Sequence, residues 1–186
     1  MKPERSYGMW EKFYPDLILQ SIYDLDANYL KQKGIRGIIL DLDNTLVPLG
    51  CQNVAPRMCR WVNSLKEEGF KLYIVSNSTP GKGGKLAQEM DVSAIWYAVK
   101  PRRKAFRLAL QRMGLEADEV AVIGDQVVTD VLGGNRLGLL TILVEQMGKD
   151  MLFTRVTRML ERRVLRRMER EGLYPAVLHK KEDDLQ

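Results

Sequence analysis

Short apolar runs recur along this chain, each closed by a polar or glycine-containing turn and each followed by a stretch with helical spacing. The first is Ile35-Arg36-Gly37-Ile38-Ile39-Leu40, introduced by Lys33-Gly34. It is too short for a core helix and predicts a buried strand. Lys71-Leu72-Tyr73-Ile74-Val75, Ala94 to Val99, Val120 to Gly124 and Leu139 to Val144 repeat the pattern. Between them, Pro56 to Gly69 carries Met58, Trp61, Val62 and Leu65 at helical spacing, with proline near its start and glycine at its end. Pro80 to Met90 predicts a glycine-weakened helix, and Arg102 to Met113 a helix closed at Gly114. Val127 to Leu137 is a helical stretch interrupted by Gly133-Gly134. Ahead of the first strand, Leu17, Ile18, Ile22, Leu25 and Leu30 suggest helical or irregular packing, with Asp26 the N-cap of a short helix ending at Gly34. Strand and helix alternating through short connections predicts an α/β fold, a parallel sheet covered on both faces, over about residues 15 to 145.

Composition narrows what such a fold can do. The 186 residues fit one domain spanning 1–186, and 45% hydrophobic with 28% charged residues is ordinary for a soluble globular chain. No run reaches the roughly 18 apolar residues of a membrane span. Met1-Lys2-Pro3-Glu4-Arg5-Ser6 lacks the apolar segment of a secretory leader, so the expected location is cytoplasmic, with a peripheral position at the inner face of the membrane left open. Cys51 and Cys59 are spaced unlike a metal or redox pair. His179 is the only histidine and lies in a polar tail, 175–186, which sets aside histidine-based nucleophilic catalysis and histidine-rich metal sites. Any chemistry must come from carboxylates, hydroxyls, lysines and a bound ion.

The strand ends supply those groups. Asp41 and Asp43 leave the carboxyl end of the first strand, the edge where open α/β sheets bind ligands. Like charges held that close repel, so a divalent cation or a phosphoryl reaction would explain the pair, although an isolated D-x-D is equally a solvated turn. The second strand ends in Ser76-Asn77, the third in Lys100, and the fourth in Asp125 with Asp130 beyond it. In a parallel sheet these ends converge. Asp41 can attack phosphorus. Asp43 can protonate the leaving oxygen and later take a proton from water. Ser76 and the backbone N–H of Asn77 offer donors to phosphate oxygens, and Lys100 neutralises charge. Asp125, with Asp41 and a backbone carbonyl near Asp43, can hold Mg²⁺. Singly, each is an ordinary turn or loop residue; their order and placement together carry the signal.

Asp41-x-Asp43-x-Thr45, Ser76, Lys100 and Gly124-Asp125-x4-Asp130 resemble the four motifs of the haloacid dehalogenase-like phosphatase superfamily, in the family's order. The resemblance implies a Rossmann-like three-layer fold with strand order 5-4-1-2-3 and Mg²⁺-dependent phosphomonoester hydrolysis. It implies Asp41 as nucleophile, Asp43 as general acid/base, and a phosphate-binding set of Asn44, Thr45, Ser76, Asn77 and Lys100. The implied metal set is Asp41, Asp43 and Asp125, with Asp130 meeting the metal through water or hydrogen-bonding Lys100. An acid at Asp43 points to hydrolysis, since the family's ATPase branch carries threonine there. Leu46 to Ser76 and Asn77 to Lys100 are each used up by one helix and one strand, so no cap domain fits, and an open site suits a bulky substrate on a macromolecule or membrane. Gly37 to Leu46 and the Gly124 to Gly138 stretch are similar to the YqeG family of capless phosphatases, subclass IIIA, which in turn is similar to the mitochondrial phosphatidylglycerophosphate phosphatase of phosphatidylglycerol and cardiolipin synthesis. Gly81-Lys82-Gly83-Gly84-Lys85 fails the P-loop spacing and reads as a flexible basic rim.

The last feature is basic. From Lys149 to Glu171 there are eight Lys/Arg against four acids, a difference of +4 in a chain of net +5. Leu152, Val156, Leu160, Val164 and Met168 recur every four residues beside a row of Arg158, Arg162, Arg166 and Arg170. Such a helix, over 149–171, docks on the domain by its apolar row, lies on an anionic membrane surface, or binds nucleic acid, the last without an aromatic stacking set to support it. Two other functions share the sequence: a phosphatase of phosphoproteins or nucleic-acid ends, and a non-catalytic adaptor binding RNA, ribosome or membrane.

Overall fold

The computed structural model describes residues 10–148 and 154–173, and side chains of 154–158 are not included in that description. Six parallel strands form one sheet: β1 (Leu17–Leu19), β2 (Gly37–Leu40), β3 (Lys71–Val75), β4 (Ser93–Ile95), β5 (Val120–Gly124) and β6 (Leu140–Val144), in the order β1-β6-β5-β2-β3-β4. Leaving β1 aside, this is the expected order of five strands, with a sixth added at the edge. The addition corrects the helical or irregular reading of Leu17 and Ile18. Leu17 pairs with Ile142 and Leu19 with Val144, and the apparent four-residue spacing to Ile22 joins two different elements, a strand and a 3₁₀ turn at Ile22–Asp24.

The helices follow the predicted positions: α1 (Ala27–Gln32), α2 (Pro56–Glu67), α3 (Pro80–Glu89), α4 (Arg103–Met113), α5 (Leu132–Asn135) and α6 (Thr154–Arg170). Asp26 caps α1, its carboxylate accepting from the N–H groups of Asn28 and Tyr29 at 2.8 and 3.2 Å. Gly114 closes α4 in the left-handed conformation, φ 63°. Between β5 and α5 lies a five-residue π turn, Val127–Val131, a local widening that often marks a functional segment.

Side chains alternate across the sheet and build two cores. Ile38, Leu40, Ile74, Ala121 and Ile123 face α1, α2 and α3, while Ile39, Tyr73, Val75, Val120 and Val122 face α4. Both faces are buried, which is why the strand sequences read as nearly continuous apolar runs. Burial of such runs, at roughly 25 cal/mol per Å² of apolar surface, is the main stabilising term.

One expectation changes shape. The third strand stops at Ile95, because Tyr97 and Val99 adopt φ 51° and 52° and break the ladder. The glycine-rich stretch after Ser78 is the expected helix, and its Gly81-Lys82-Gly83-Gly84-Lys85 segment lies within the regular turns of α3. A Cβ on Gly83 would lie 2.3 Å from the Trp96 ring and 2.7 Å from Leu42, so the glycine permits close packing of α3 on the sheet.

The C-terminal helix docks. Val164 and Met168 are buried with Val127, Val131 and Leu143, and Leu160 and Leu165 pack beside them. Buried Glu161 accepts the N–H of Val127 at 2.9 Å, tying α6 to the start of the π turn. Glu161→Ala would leave that N–H without this acceptor, and we expect a loss of roughly 1–3 kcal/mol in urea unfolding. Arg162, Arg163, Arg166 and Arg170 remain exposed. The expected helix start at 149–153 and the polar tail at 175–186 lie outside the described residues. No helix among the described residues is long and apolar enough to cross a membrane.

Candidate active site

Every strand that carries a predicted functional group ends at the same edge of the sheet. Asp41 extends β2, its N–H donating to Ile123 O at 2.9 Å, so the carboxylate leaves the sheet beside the end of β5. The next residues turn back on themselves. Leu42 O accepts from Leu46 and Val47, and Asn44 N donates to Val47 O at 2.7 Å. Asn44 holds φ 61°, a conformation asparagine tolerates better than most residues, and its Oδ1 accepts from Leu49 N at 3.1 Å.

Lys100 is the centre of the charge arrangement. Its Nζ donates to Asp41 Oδ1 at 2.5 Å and to Asp130 Oδ1 at 2.6 Å, and all three side chains are buried. The backbone N–H of Lys100 is fixed by Asn77 Oδ1 at 2.8 Å, so the Asn77 side chain positions the lysine segment. Asp130 Oδ2 accepts from Gln126 N at 3.3 Å and from the Thr129 hydroxyl at 3.0 Å. Gly124 makes room for this carboxylate: a Cβ there would sit 2.2 Å from Asp130 Cγ, so the motif needs glycine immediately before Asp125.

Burial pushes the Asp41 carboxyl up to about 7, with Lys100 pulling it down and Asp130 pushing it further up. Burial alone would lower the Lys100 ammonium, but Asp130 and Asp41 attract and hydrogen-bond it strongly enough to hold it above its ordinary value and protonated. One ammonium therefore serves several acids. Carboxylate oxygens of Asp41, Asp125 and Asp130 all lie within 4.8 Å of one another, and all three residues are buried. Lys100 bonds two of the three, and the grouping offers an all-oxygen donor set, which is what a hard divalent cation requires.

Asp41, Asp43, Asn44, Leu49, Ser76, Asn77, Lys100, Gln126 and Thr129 line one cleft of about 180 Å³. The structure thus brings together Asp41, Asp43, Asn44, Ser76, Asn77 and Lys100, with Asp125 and Asp130 buried against its floor. Ser76 is buried at the cleft lining, its Oγ accepting from Ser78 N at 3.0 Å. Thr45 is not among the lining residues. Its side chain is buried, and its hydroxyl has no hydrogen-bond partner among the described residues. Gln126, Thr129 and Leu49 are lining residues that the sequence reading did not single out. The first two lie between Asp125 and Asp130, where the π turn curls them inward, a geometry with no sequence signature. Leu46 to Ser76 holds only α2 and β3, and Asn77 to Lys100 only α3 and β4, so neither segment supplies an inserted cap.

The sequence pattern of the haloacid dehalogenase-like hydrolases matches residues 49–138. Over 166 residues the chain is 41% identical to the probable phosphatase YqeG of Bacillus subtilis, covering 88% of this chain and 96% of that protein. It is 27% identical over 172 residues to the chloroplastic/mitochondrial phosphatidylglycerophosphate phosphatase 1 of Arabidopsis thaliana, covering 87% of this chain but 49% of the plant enzyme. Among solved structures, the cobalt-bound deoxy-D-mannose-octulosonate 8-phosphate phosphatase of Haemophilus influenzae superposes with a TM-score of 0.50 at 14% identity, covering 78% of this chain and 96% of that one. That likeness is one of fold.

Proposed function

This chain belongs to the haloacid dehalogenase-like hydrolases, in the family of the YqeG phosphatase, and is a phosphatase; from that premise we propose that it hydrolyses the terminal phosphomonoester of phosphatidylglycerophosphate with Mg²⁺. The observation that carries the reaction is the buried Asp41–Lys100–Asp130 arrangement opening on a cleft that also holds Asp43 and Ser76. In this reading Lys100 holds one oxygen of Asp41, leaving the other to attack phosphorus. The ester P–O bond breaks as the aspartyl phosphate forms, and Asp43 gives its proton to the departing alkoxide. Asp43, now a carboxylate, takes a proton from water as that water attacks the phosphorus of the aspartyl phosphate. Inorganic phosphate leaves and the Asp41 carboxylate is regenerated. Ser76 and the backbone at Asn77 bind phosphate oxygens. Asp41 and Asp125, with the backbone carbonyl at Asp43, would hold Mg²⁺. Asp130, whose two oxygens already serve Lys100, Gln126 and Thr129, orients the lysine. When bound, the cation neutralises charge on the transferring phosphoryl group.

The lipid assignment draws support from similarity to a plant enzyme named for that substrate and from an open cleft of about 180 Å³, smaller than sites that enclose a bulky ligand. The test is phosphate release from phosphatidylglycerophosphate, a phosphopeptide and a 5′-phosphorylated oligonucleotide, each with Mg²⁺ and with EDTA. We expect release from the lipid alone at high rate, abolished by EDTA and restored by Mg²⁺. Equal turnover of the peptide or oligonucleotide would move the substrate to that class, and no release from any ester would favour an adaptor.

A further inference from the structure

Among the described residues, five large apolar side chains are exposed, and three of them lie at or beside the cleft: Leu49, which lines it, at 41%, and Tyr97 and Val99, on the loop that leads into Lys100, at 63% and 54%. Soluble surfaces scatter such side chains singly, so their gathering at one mouth asks for a cause. The loop carrying Tyr97 and Val99 leads into Lys100, which lines the cleft, and is tied by its backbone to the segment after β3, while the two side chains stay out of the lining. Tyr97 N donates to Ser78 O, Ala98 N to Ser76 O, and Lys100 N to Asn77 Oδ1. Ala98 and Lys100 point inward while Tyr97 and Val99 point to solvent.

The backbone makes the choice of residue stranger. Tyr97 and Val99 sit at φ 51° and 52°, where glycine or asparagine is at ease and a β-branched residue is a true outlier. Asn44, which lines the cleft, fills the same kind of position with the residue type the backbone prefers. Local geometry therefore argues against Tyr97 and Val99, and burial cannot explain them, since both are exposed. Strain of this kind persists where function holds it.

Charge completes the surface. Arg102, Arg103 and Lys104 follow directly, all exposed and without an ion pair among the described residues. They crowd the first turn of α4, the end of a helix that repels cations, and that turn carries no acid. On the far side, exposed Met159 and Arg162 lie on α6, and Arg162 shares a cleft of about 390 Å³ with Asp125. An apolar rim bordered by cations is complementary to an anionic lipid interface, where aromatic and aliphatic side chains enter below the headgroups and cations meet lipid phosphates.

We propose that the rim of the catalytic cleft, Tyr97 and Val99 with the cations of Arg102 to Lys104, is a membrane-docking surface that sets the open active site directly on an anionic bilayer. This rests on the lipid-phosphatase reading and deepens it: docking is by the mouth of the site, while α6 is held to the domain by its own apolar row. The surface replaces a cap, because the bilayer itself covers the cleft.

The test uses the full chain with Tyr97→Asn and Val99→Asn combined, leaving Leu49 intact because it lines the cleft. Asparagine suits both backbone positions, so melting temperature and turnover of the soluble ester p-nitrophenyl phosphate are expected to hold. Co-sedimentation with vesicles of phosphatidylcholine and phosphatidylglycerol should weaken about tenfold or more, with a parallel fall in phosphate release from phosphatidylglycerophosphate in those vesicles. Wild-type protein should bind pure phosphatidylcholine vesicles far less. Unchanged vesicle binding by the variant, or no vesicle binding by the wild type, overturns the proposal. Lost vesicle binding with no lipid hydrolysis by either protein upholds docking and rejects the substrate. Absence of p-nitrophenyl phosphate turnover in wild type counts against the phosphatase chemistry and leaves the sedimentation result to judge the surface.

Discussion

Asp41→Asn is expected to lower phosphate release by more than about 10³-fold while leaving the fold intact. The substitution keeps the shape and an oxygen to accept from Lys100 but removes the charge of the oxygen proposed to attack phosphorus. A stability measurement separates this from unfolding. In chelator, Asp41 has its carboxyl raised from 3.8 to about 7, chiefly by burial, so the folded chain holds that proton more tightly than the unfolded one. Its contribution is therefore complete below the ordinary carboxylate value and is lost as pH climbs towards 7. Asp41→Asn should remove that slope, giving a variant at least as stable as wild type at neutral pH. Urea unfolding at several pH values, run beside the activity assay, reads both effects. A variant that is inactive because it is unfolded would appear at once.

Lys100→Met should fail in the opposite way. It leaves Asp41 and Asp130 buried without the ammonium that bonds both, at 2.5 and 2.6 Å. Removing one partner of a buried ionic group typically costs about 3–5 kcal/mol, because the remaining charge is stranded. We expect that loss in EDTA, a smaller one in Mg²⁺, and a fall in turnover of about 10²-fold or more from the missing charge on the phosphate. Equal destabilisation with and without the cation would mean that the acid cluster does not hold the metal. The two variants together distinguish the nucleophilic role proposed for Asp41 from the electrostatic role proposed for Lys100, which neither does alone.

How far the sequence revealed this arrangement depends on the kind of signal each part leaves. Strands buried on both faces leave unbroken apolar runs, so β2, β3, β5 and β6 were legible, and short connections implied parallel neighbours. The edge strand β1 was not, because three residues at a sheet margin carry no period that distinguishes them from a turn. The shortening of β4 was also hidden. Ala94 to Val99 is apolar throughout, and only the backbone reveals that Tyr97 and Val99 leave the ladder to carry Lys100 into the site. Charged groups at strand ends were legible as chemistry because nothing in a core calls for Asp41, Lys100 or Asp125. Their burial, and the division of Asp130 between Lys100, Gln126 and Thr129, depend on the π turn and on Gly124, whose roles are spatial. Glycines misled in one respect. Gly83 reads as a source of freedom, whereas the approach of Trp96 makes it a condition of packing.

The C-terminal helix illustrates how an apolar row and a basic row on one helix answer different questions. Its apolar row is spent on Val127, Val131 and Leu143, and its Glu161 supports the π turn that presents Asp130. The helix is thus part of the support for the site, whatever its arginines meet. In the docking proposal, exposed Tyr97 and Val99, not the arginine row, mark the side that meets the bilayer.

The claim on which the account depends is that phosphorus is carried by Asp41. Borohydride added during turnover of phosphatidylglycerophosphate reduces an acyl phosphate to an alcohol, and peptide mass spectrometry then locates the reduced carboxyl. Reduction is expected at Asp41 alone, dependent on substrate and absent in Asp41→Asn. Reduction at any other acid, or substrate turnover with none trapped at Asp41, would contradict it.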